Sequence, residues 1–209
     1  MLKALKKTES YKAFMTPLTI ANPVSALVLG ICSALAVTIQ VKPSLVMTLA
    51  MTFVLTFSNV IISMIRHIIP KNIRIIVYLT VIASLVILAD QLMKAFLFDV
   101  SKQLSVFVGL IITNCIIMGR AEAYAMAHNP WNSMWDGLGN GLAYGAILII
   151  VGFFREFFGA GKIWGIQLIP QQLYDMGYSN MGLMVYAPAA FIVIGLIAWL
   201  QNEWLMRKK

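Results

Sequence analysis

Long apolar runs, separated by short connections that carry charge, proline or glycine, fill the chain from about residue 22 onward. Marked against their polar flanks, the runs fall at residues 22–40, 45–65, 75–93, 104–118, 138–154 and 183–200. A helix needs about 20 apolar residues to cross a hydrocarbon core of about 30 Å, and in lipid only helices or closed barrels satisfy their own backbone polar groups. The alternation of a barrel strand is absent, so the pattern predicts six membrane-spanning helices. Connections are expected at 41–44, 66–74, 94–102, 119–137 and 155–182. The last holds Phe157, Phe158, Trp164, Tyr174 and Tyr178, a composition suited to the headgroup level.

The run at 104–118 is short for a span, about 22 Å as helix, before "GRAEA" introduces Arg120 and Glu122. Charged or irregular backbone at membrane depth requires surrounding protein or a water-filled cavity. "IISMIR" (61–66) parallels "IVGFFR" (150–155), each closing a run on an arginine, and Cys32 and Cys115 each fall in the first span of a three-helix half. The chain therefore reads as one transmembrane domain over 1–209, with half repeats at about 20–95 and 102–200. Three spans per half invert the second half relative to the first. The expected fold is an all-α integral membrane protein of six helices, a 3+3 inverted repeat with short or broken first helices in each half. Each cysteine lies about 15 Å along its span, and opposite directions of travel bring both to the bilayer midplane. Gly30 and Gly109, just before them, are expected to permit close helix approach.

Composition agrees with this reading: 60% of residues are hydrophobic and 11% charged, against about 25% charged in soluble domains. The net charge of +8 could suggest nucleic acid, but the basic residues sit at the ends of apolar runs rather than on a basic and aromatic soluble face. They read as topology signals, and nucleic acid is not an expected partner. With both termini cytoplasmic, Lys3, Lys6, Lys7, Lys12, Arg66, Lys71, Arg74, Arg120, Arg207, Lys208 and Lys209 lie inside, against Lys42, Lys94, Lys102, Arg155 and Lys162 outside. The positive-inside rule favours that orientation. No small-residue cleavage site precedes the first run, so no cleaved signal peptide is expected.

Two cysteines do not make a disulfide framework. A free cysteine packs as a small hydrophobe; two at a common depth leave packing and ligation equally open. Two thiolates do not complete the four-ligand set of zinc or of an iron–sulfur cluster, and His67 and His128 fall in connections. As ligands, the pair would need a second pair from another chain. Among other polar residues within spans, Ser58 and Asn59 read as interhelical glue, Asp90 and Gln91 as residues near the outer interface, and Asn114 stands beside Cys115. "LGNGLAYG" (138–145) matches neither a P-loop nor a dinucleotide fingerprint and reads as a helix-packing element. No nucleophile, base and acid arrangement is assembled by spacing, so no catalytic residue is assigned to this chain.

"LGICSALAVT", "IRIIVYLTVIASLVILADQ", "VSKQLSVFVGLIITNCIIMGRAEAYAM" and "VGFFREFFGAGK" closely resemble the NqrDE/RnfAE family of membrane subunits, and within it the D-type subunits of sodium-translocating NADH:quinone oxidoreductases. The E-type subunits of Rnf complexes share "TNC" and "GRAEA" but match less well around "VSKQLSVFVG" and "IIVYL". The resemblance implies a six-helix subunit of the bacterial inner membrane, paired with a homologous E subunit. The two would share one intramembrane [2Fe–2S] cluster through two cysteines each, at positions that Cys32 and Cys115 match. It further implies assembly with A, B, C and F subunits, which carry the FAD, FMN, riboflavin and NADH sites, and electron transfer from NADH to quinone coupled to sodium export. Two other readings stay open: the Rnf counterpart, moving electrons between ferredoxin and NAD with ion translocation, and an inverted-repeat transporter whose cysteines are structural.

Overall fold

The computed structural model describes residues 2–19, 22–96, 109–163, 166–167 and 182–207. In chain order the helices are α1 (Leu2–Thr19), α2 (Ile31–Val37), α3 (Val41–Ile65), α4 (Arg74–Phe96), α5 (Cys115–Arg120), α6 (Pro130–Ala160) and α7 (Ala187–Arg207). α5 runs directly into a π-helical turn, Ala121–Ala125, and short 3₁₀ turns lie at Lys71–Ile73 and Gly182–Val185. The only strands among the described residues are an antiparallel pair of two residues each, β1 (Lys162–Ile163) and β2 (Ile166–Gln167).

Among the described residues three helical stretches are long and apolar enough to cross a membrane: Val41–Ile65, Arg74–Leu92 and Pro130–Gly159. Large apolar side chains of α4 and α7, among them Ile75, Ile76, Ile87, Phe191, Ile192 and Trp199, face outward. Such surfaces are stable against lipid rather than water, so the protein is a multi-pass membrane protein.

The two longest inner helices, α3 and α6, run antiparallel along a close seam. A Cβ added at Gly137, Gly141 or Gly145 would lie 2.7 Å from Thr56 Cα, 2.7 Å from Thr52 Oγ1 or 2.0 Å from Thr48 Cγ2. Thr48, Thr52 and Thr56 each donate their hydroxyl to the carbonyl four residues earlier, at 2.7 Å. Their polar atoms are thereby satisfied within α3, and the opposing glycines let the backbones meet. The expectation that "LGNGLAYG" is a packing element holds at Gly141 and Gly145, and also at Gly139, where a Cβ would come within 2.6 Å of the Phe14 carbonyl oxygen on α1.

Several boundaries differ from the sequence expectation. α6 begins at Pro130, a residue suited to the first helical position, and ends before Gly161 at φ 65°. Much of the connection expected at 119–137 is therefore helix. Asn132, Ser133, Asp136 and Asn140 are buried against protein and are not the flank of an apolar run. Likewise the connection expected from 155 starts only after Ala160, so Arg155 is a buried helical residue rather than an exposed topology signal. Residues 2–19 form a helix packed on α6, with Phe14 edge-on to Trp135 at 6.0 Å and Ser10 donating to Asn132 Oδ1 at 2.9 Å.

The run at 22–40 is broken: turns over 23–27, Val28 at φ 57° and Gly30 at φ 76° precede α2, which has seven residues. The run at 104–118, of which 104–108 lie outside the described residues, is a helical turn over 109–112 that breaks at 113–114 before α5. Most of the headgroup-level loop expected to 182 also lies outside them. Ser58 and Asn59 are not the expected glue. Ser58 Oγ donates to Leu55 O of its own helix, and the fully buried Asn59 amide has no partner among the described residues. At Gly109 no described atom lies within 4 Å of an added Cβ, so the close approach expected there is not seen.

Candidate functional site: a crevice bearing both cysteines

Cys32 is the second residue of α2 and Cys115 the first of α5, and both thiols are free and exposed. Together with Gly30, Ser33, Leu110, Thr113 and Asn114 they line one crevice of about 20 Å³. The fold thus brings both cysteines to one place, each at the start of a short helix that follows a break.

Local chemistry accounts for both breaks. Asn22 organises the turn before α2: its carbonyl accepts from the Ala26 and Leu27 amides and its side-chain Oδ1 from Val24 N. Gly30 then takes the left-handed conformation that turns the chain into α2. The backbone at φ 76° favours glycine, and a Cβ there would lie 2.6 Å from Ile116 Cδ1 and push that side-chain end aside. On the other side Asn114 caps α5, its Oδ1 accepting from Ile116 N at 3.0 Å. Its Nδ2 donates to Ser33 Oγ at 2.8 Å. Ser33 Oγ is also 3.0 Å from Gly30 O and 2.6 Å from the Tyr144 hydroxyl on α6.

The far ends of the two interrupted stretches are closed by arginines. Arg155, 2% exposed, donates to Leu35 O at 3.1 Å and Thr38 Oγ1 at 2.7 Å, at the end of α2. It also donates to the carbonyls of Met184, Val185 and Tyr186. Carbonyls of a last helical turn lack intrahelical donors, and a guanidinium with five N–H groups meets several at once. Arg66 donates to His128 O at 2.6 Å, where Ser63 Oγ also donates at 2.6 Å, just past the π-helical turn. The arginine ending "IISMIR" therefore reaches the stretch that carries Cys115, and the one ending "IVGFFR" the stretch that carries Cys32.

The charges that follow Cys115 are paired, Arg120 within the fold and Glu122 at its surface. Arg120 forks onto Asp136, with Nε 3.0 Å from Oδ2 and Nη2 on Oδ1, and Asn140 Nδ2 supports Asp136 Oδ1 at 3.1 Å. Glu122 accepts from Arg74 at 2.7 Å and from the Tyr78 hydroxyl at 2.8 Å. His67 accepts from Arg66 Nε at 3.2 Å and His128 stacks on Tyr124 at 4.0 Å between ring centroids. Among the described residues no group of three or more His, Cys, Asp or Glu side chains comes together as a metal site. The two exposed thiols line one crevice at the protein surface, and no third such side chain joins them among the described residues.

Ser33 and Tyr144 are the residues of this region that the sequence does not single out, and Arg155, expected outside the membrane, is instead a buried donor to α2. A tyrosine inside the apolar run that follows "LGNGLA" was the available signal, because a buried hydroxyl needs a partner.

Comparison with known proteins gives a consistent result. Residues 10–198 match a family model described as Rnf-Nqr subunit, membrane protein. Over 191 residues the chain is 54% identical to the D subunit of the Na(+)-translocating NADH-quinone reductase of Serratia proteamaculans, covering 91% of each chain. It is equally identical to the protein of the same name from Haemophilus ducreyi over 194 residues, 92% of this chain and 93% of that one. The Photobacterium profundum protein of that name is again 54% identical over 191 residues, 91% of each.

Proposed function

We infer that this chain, which belongs to the Rnf-Nqr family of membrane subunits, is the D subunit of a sodium-translocating NADH:quinone reductase. In it Cys32 and Cys115 hold half of an intramembrane [2Fe–2S] cluster. The observation that carries this reading is the crevice: two exposed thiols at one place, with no third ligand beside them among the described residues. A cysteine serving only to pack would be buried, as free cysteines usually are, and the exposure here disfavours a transporter with structural thiols. The other two thiolates come from a homologous E subunit seated over the crevice. When bound, the cluster supplies one-electron transfer within the membrane. This chain's residues hold it by two thiolates, fix those thiolates on helix starts capped by Asn114 and turned by Gly30, and exclude water behind them with Ile116, Ile117 and Tyr144.

The complete subunit has six spans in two inverted halves, the first span of each being interrupted; the exchange of Arg66 and Arg155 between the two interrupted stretches supports that arrangement. Both termini face the cytoplasm of a bacterium whose inner membrane holds the complex. The A, B, C and F subunits carry the flavin and NADH sites, and this subunit contributes to coupled sodium export by relaying electrons. The identity of the relatives as D subunits of Na(+)-translocating NADH-quinone reductases favours the quinone reductase over the Rnf complex.

The test is the iron and acid-labile sulfide content of the purified complex carrying Cys32→Ala or Cys115→Ala, with Cys→Ser variants to preserve volume. Each variant is expected to lose the cluster, keep reduction of the first flavin by NADH and lose electron flow to later flavins. As a packing change the alanine costs no more than about 1–2 kcal/mol, so assembled complex should be recoverable. Full iron content with near-normal quinone reduction in either variant would remove that residue from the ligand set.

A further inference from the structure

We propose that the Ser33–Asn114–Tyr144 hydrogen-bond network is the device that fixes the two thiols relative to each other and sets the electron affinity of the cluster they hold. This rests on the reading of Cys32 and Cys115 as ligands. Ser33 follows Cys32 and Asn114 precedes Cys115, so the 2.8 Å bond from Asn114 Nδ2 to Ser33 Oγ joins the two cysteine-bearing turns within one residue of each thiol. Asn114 is committed on its other atom too, since Oδ1 caps α5 at Ile116 N.

The hydroxyl protons can be placed by counting. Ser33 Oγ has one proton, given to Gly30 O, and two lone pairs, which accept from Asn114 and from Tyr144. With that proton on Gly30 O, Tyr144 donates to Ser33, which itself lines the crevice. Every capacity of Ser33 is used. Ser33, Asn114 and Tyr144 are 2%, 4% and 0% exposed, so water is not at hand to replace a lost partner. α2 has seven residues and α5 six; helices of that length do not hold their own position. Tyr144 sits on α6, beside Gly145 of the seam with α3, and references both short helices to the two longest inner helices. Tyr144 and Asn114 are positioning residues: neither lines up as a ligand, and both act through Ser33 and the turns that carry the thiols.

The experiment uses the whole purified complex with Tyr144→Phe and Asn114→Ser. Phenylalanine keeps the ring and deletes the donor. Serine keeps a capping oxygen for α5 and adds no charge, but removes the amide that reaches Ser33. In both variants the cluster's midpoint potential, read by an EPR redox titration, is expected to move away from the wild-type value, because a hydrogen bond to Ser33, beside Cys32, has been removed. Iron loss to a chelator is expected to speed up by about tenfold or more, the scale seen when groups that orient metal ligands are removed. A wild-type potential and wild-type chelator resistance in either variant overturns the proposal. Cys32→Ala and Cys115→Ala run alongside separate the two levels: if they lose iron while Tyr144→Phe and Asn114→Ser change nothing, the ligand assignment stands and the positioning role falls. If they retain iron, the ligand assignment itself has failed.

Discussion

Gly145→Ala puts a methyl group where the α3–α6 seam has no room, and its cost can be worked from the contact it makes. The new Cβ would lie 2.0 Å from Thr48 Cγ2, with Thr48 Oγ1 at 3.0 Å and Cβ at 3.1 Å, against roughly 3.5–4.0 Å for an ordinary carbon contact. Relief requires one of two movements. Turning Thr48 about χ1 breaks its 2.7 Å bond to Ser44 O, a loss of about 0.5–1.5 kcal/mol. Parting the helices forfeits the seam, and overpacking of this kind costs about 1–3 kcal/mol. The single variant should therefore lose about 2 kcal/mol. Thr48→Ser, which removes only the offending methyl, should lose about 1 kcal/mol. In the double variant the 2.0 Å contact no longer exists, so the total should be about 1 kcal/mol rather than the sum of about 3 kcal/mol. Gly137→Ala with Thr56→Ser is the matched control: its 2.7 Å contact is to Thr56 Cα, which serine retains, so those two losses should add. Reversible unfolding of the detergent-purified protein measures both cycles. Additivity of Gly145→Ala and Thr48→Ser within about 0.5 kcal/mol would refute this apposition of the helices.

Arg155→Met should destabilise by about 3 kcal/mol or more, since Leu35, Met184 and Val185 carbonyls lose their donor at once; amide exchange should rise first in α2 and at 182–186. Lysine should rescue it poorly because it lacks the forked donors. Asp136→Ala leaves the Arg120 guanidinium, 17% exposed, without its carboxylate and should cost about 3–5 kcal/mol in the same unfolding assay, whereas Arg120→Met with Asp136→Leu should recover most of it. A reporter fused after Lys209 should report cytoplasm, as should accessibility probes in 66–74; an exported C-terminus would reverse the proposed orientation.

The helices legible in the sequence were those whose apolar runs are uninterrupted. Residues 45–65 and 75–93 fall inside α3 and α4, and a lipid-facing helix such as α4 advertises itself by hydropathy alone. α6 was cut short at both ends for a physical reason. Asn132, Ser133 and Asp136 at one end, and Arg155 at the other, are buried by protein, but a reading by apolar runs treats polar residues as flanks. The meeting of Cys32 and Cys115 at one crevice agrees with the expectation, read from spacing, that they hold matching places in two half repeats. Ser33 and Tyr144, 111 residues apart, leave no local signature: a contact made only by tertiary packing has no period in the sequence to betray it.

Several of the polar bonds between elements lie at the interruptions. Along α3, Ser44, Thr48, Thr52 and Thr56 bond carbonyls of their own helix or its start, and the seam with α6 is made by backbone approach. At α2 and α5 the pattern reverses. A broken helix in apolar surroundings exposes amides at one end and carbonyls at the other that lipid does not satisfy, and side chains of the long helices meet several of the carbonyls: Arg155 from α6, Arg66 and Ser63 at the end of α3. Tyr144 of α6 holds α2 through the Ser33 hydroxyl instead. The thiols thus ride on short helices that are held by groups belonging to long ones. A change confined to the α3–α6 seam, such as Gly145→Ala beside Tyr144, should on this account reach the crevice without touching any residue that lines it. Its partial rescue by Thr48→Ser should restore the crevice together with the stability.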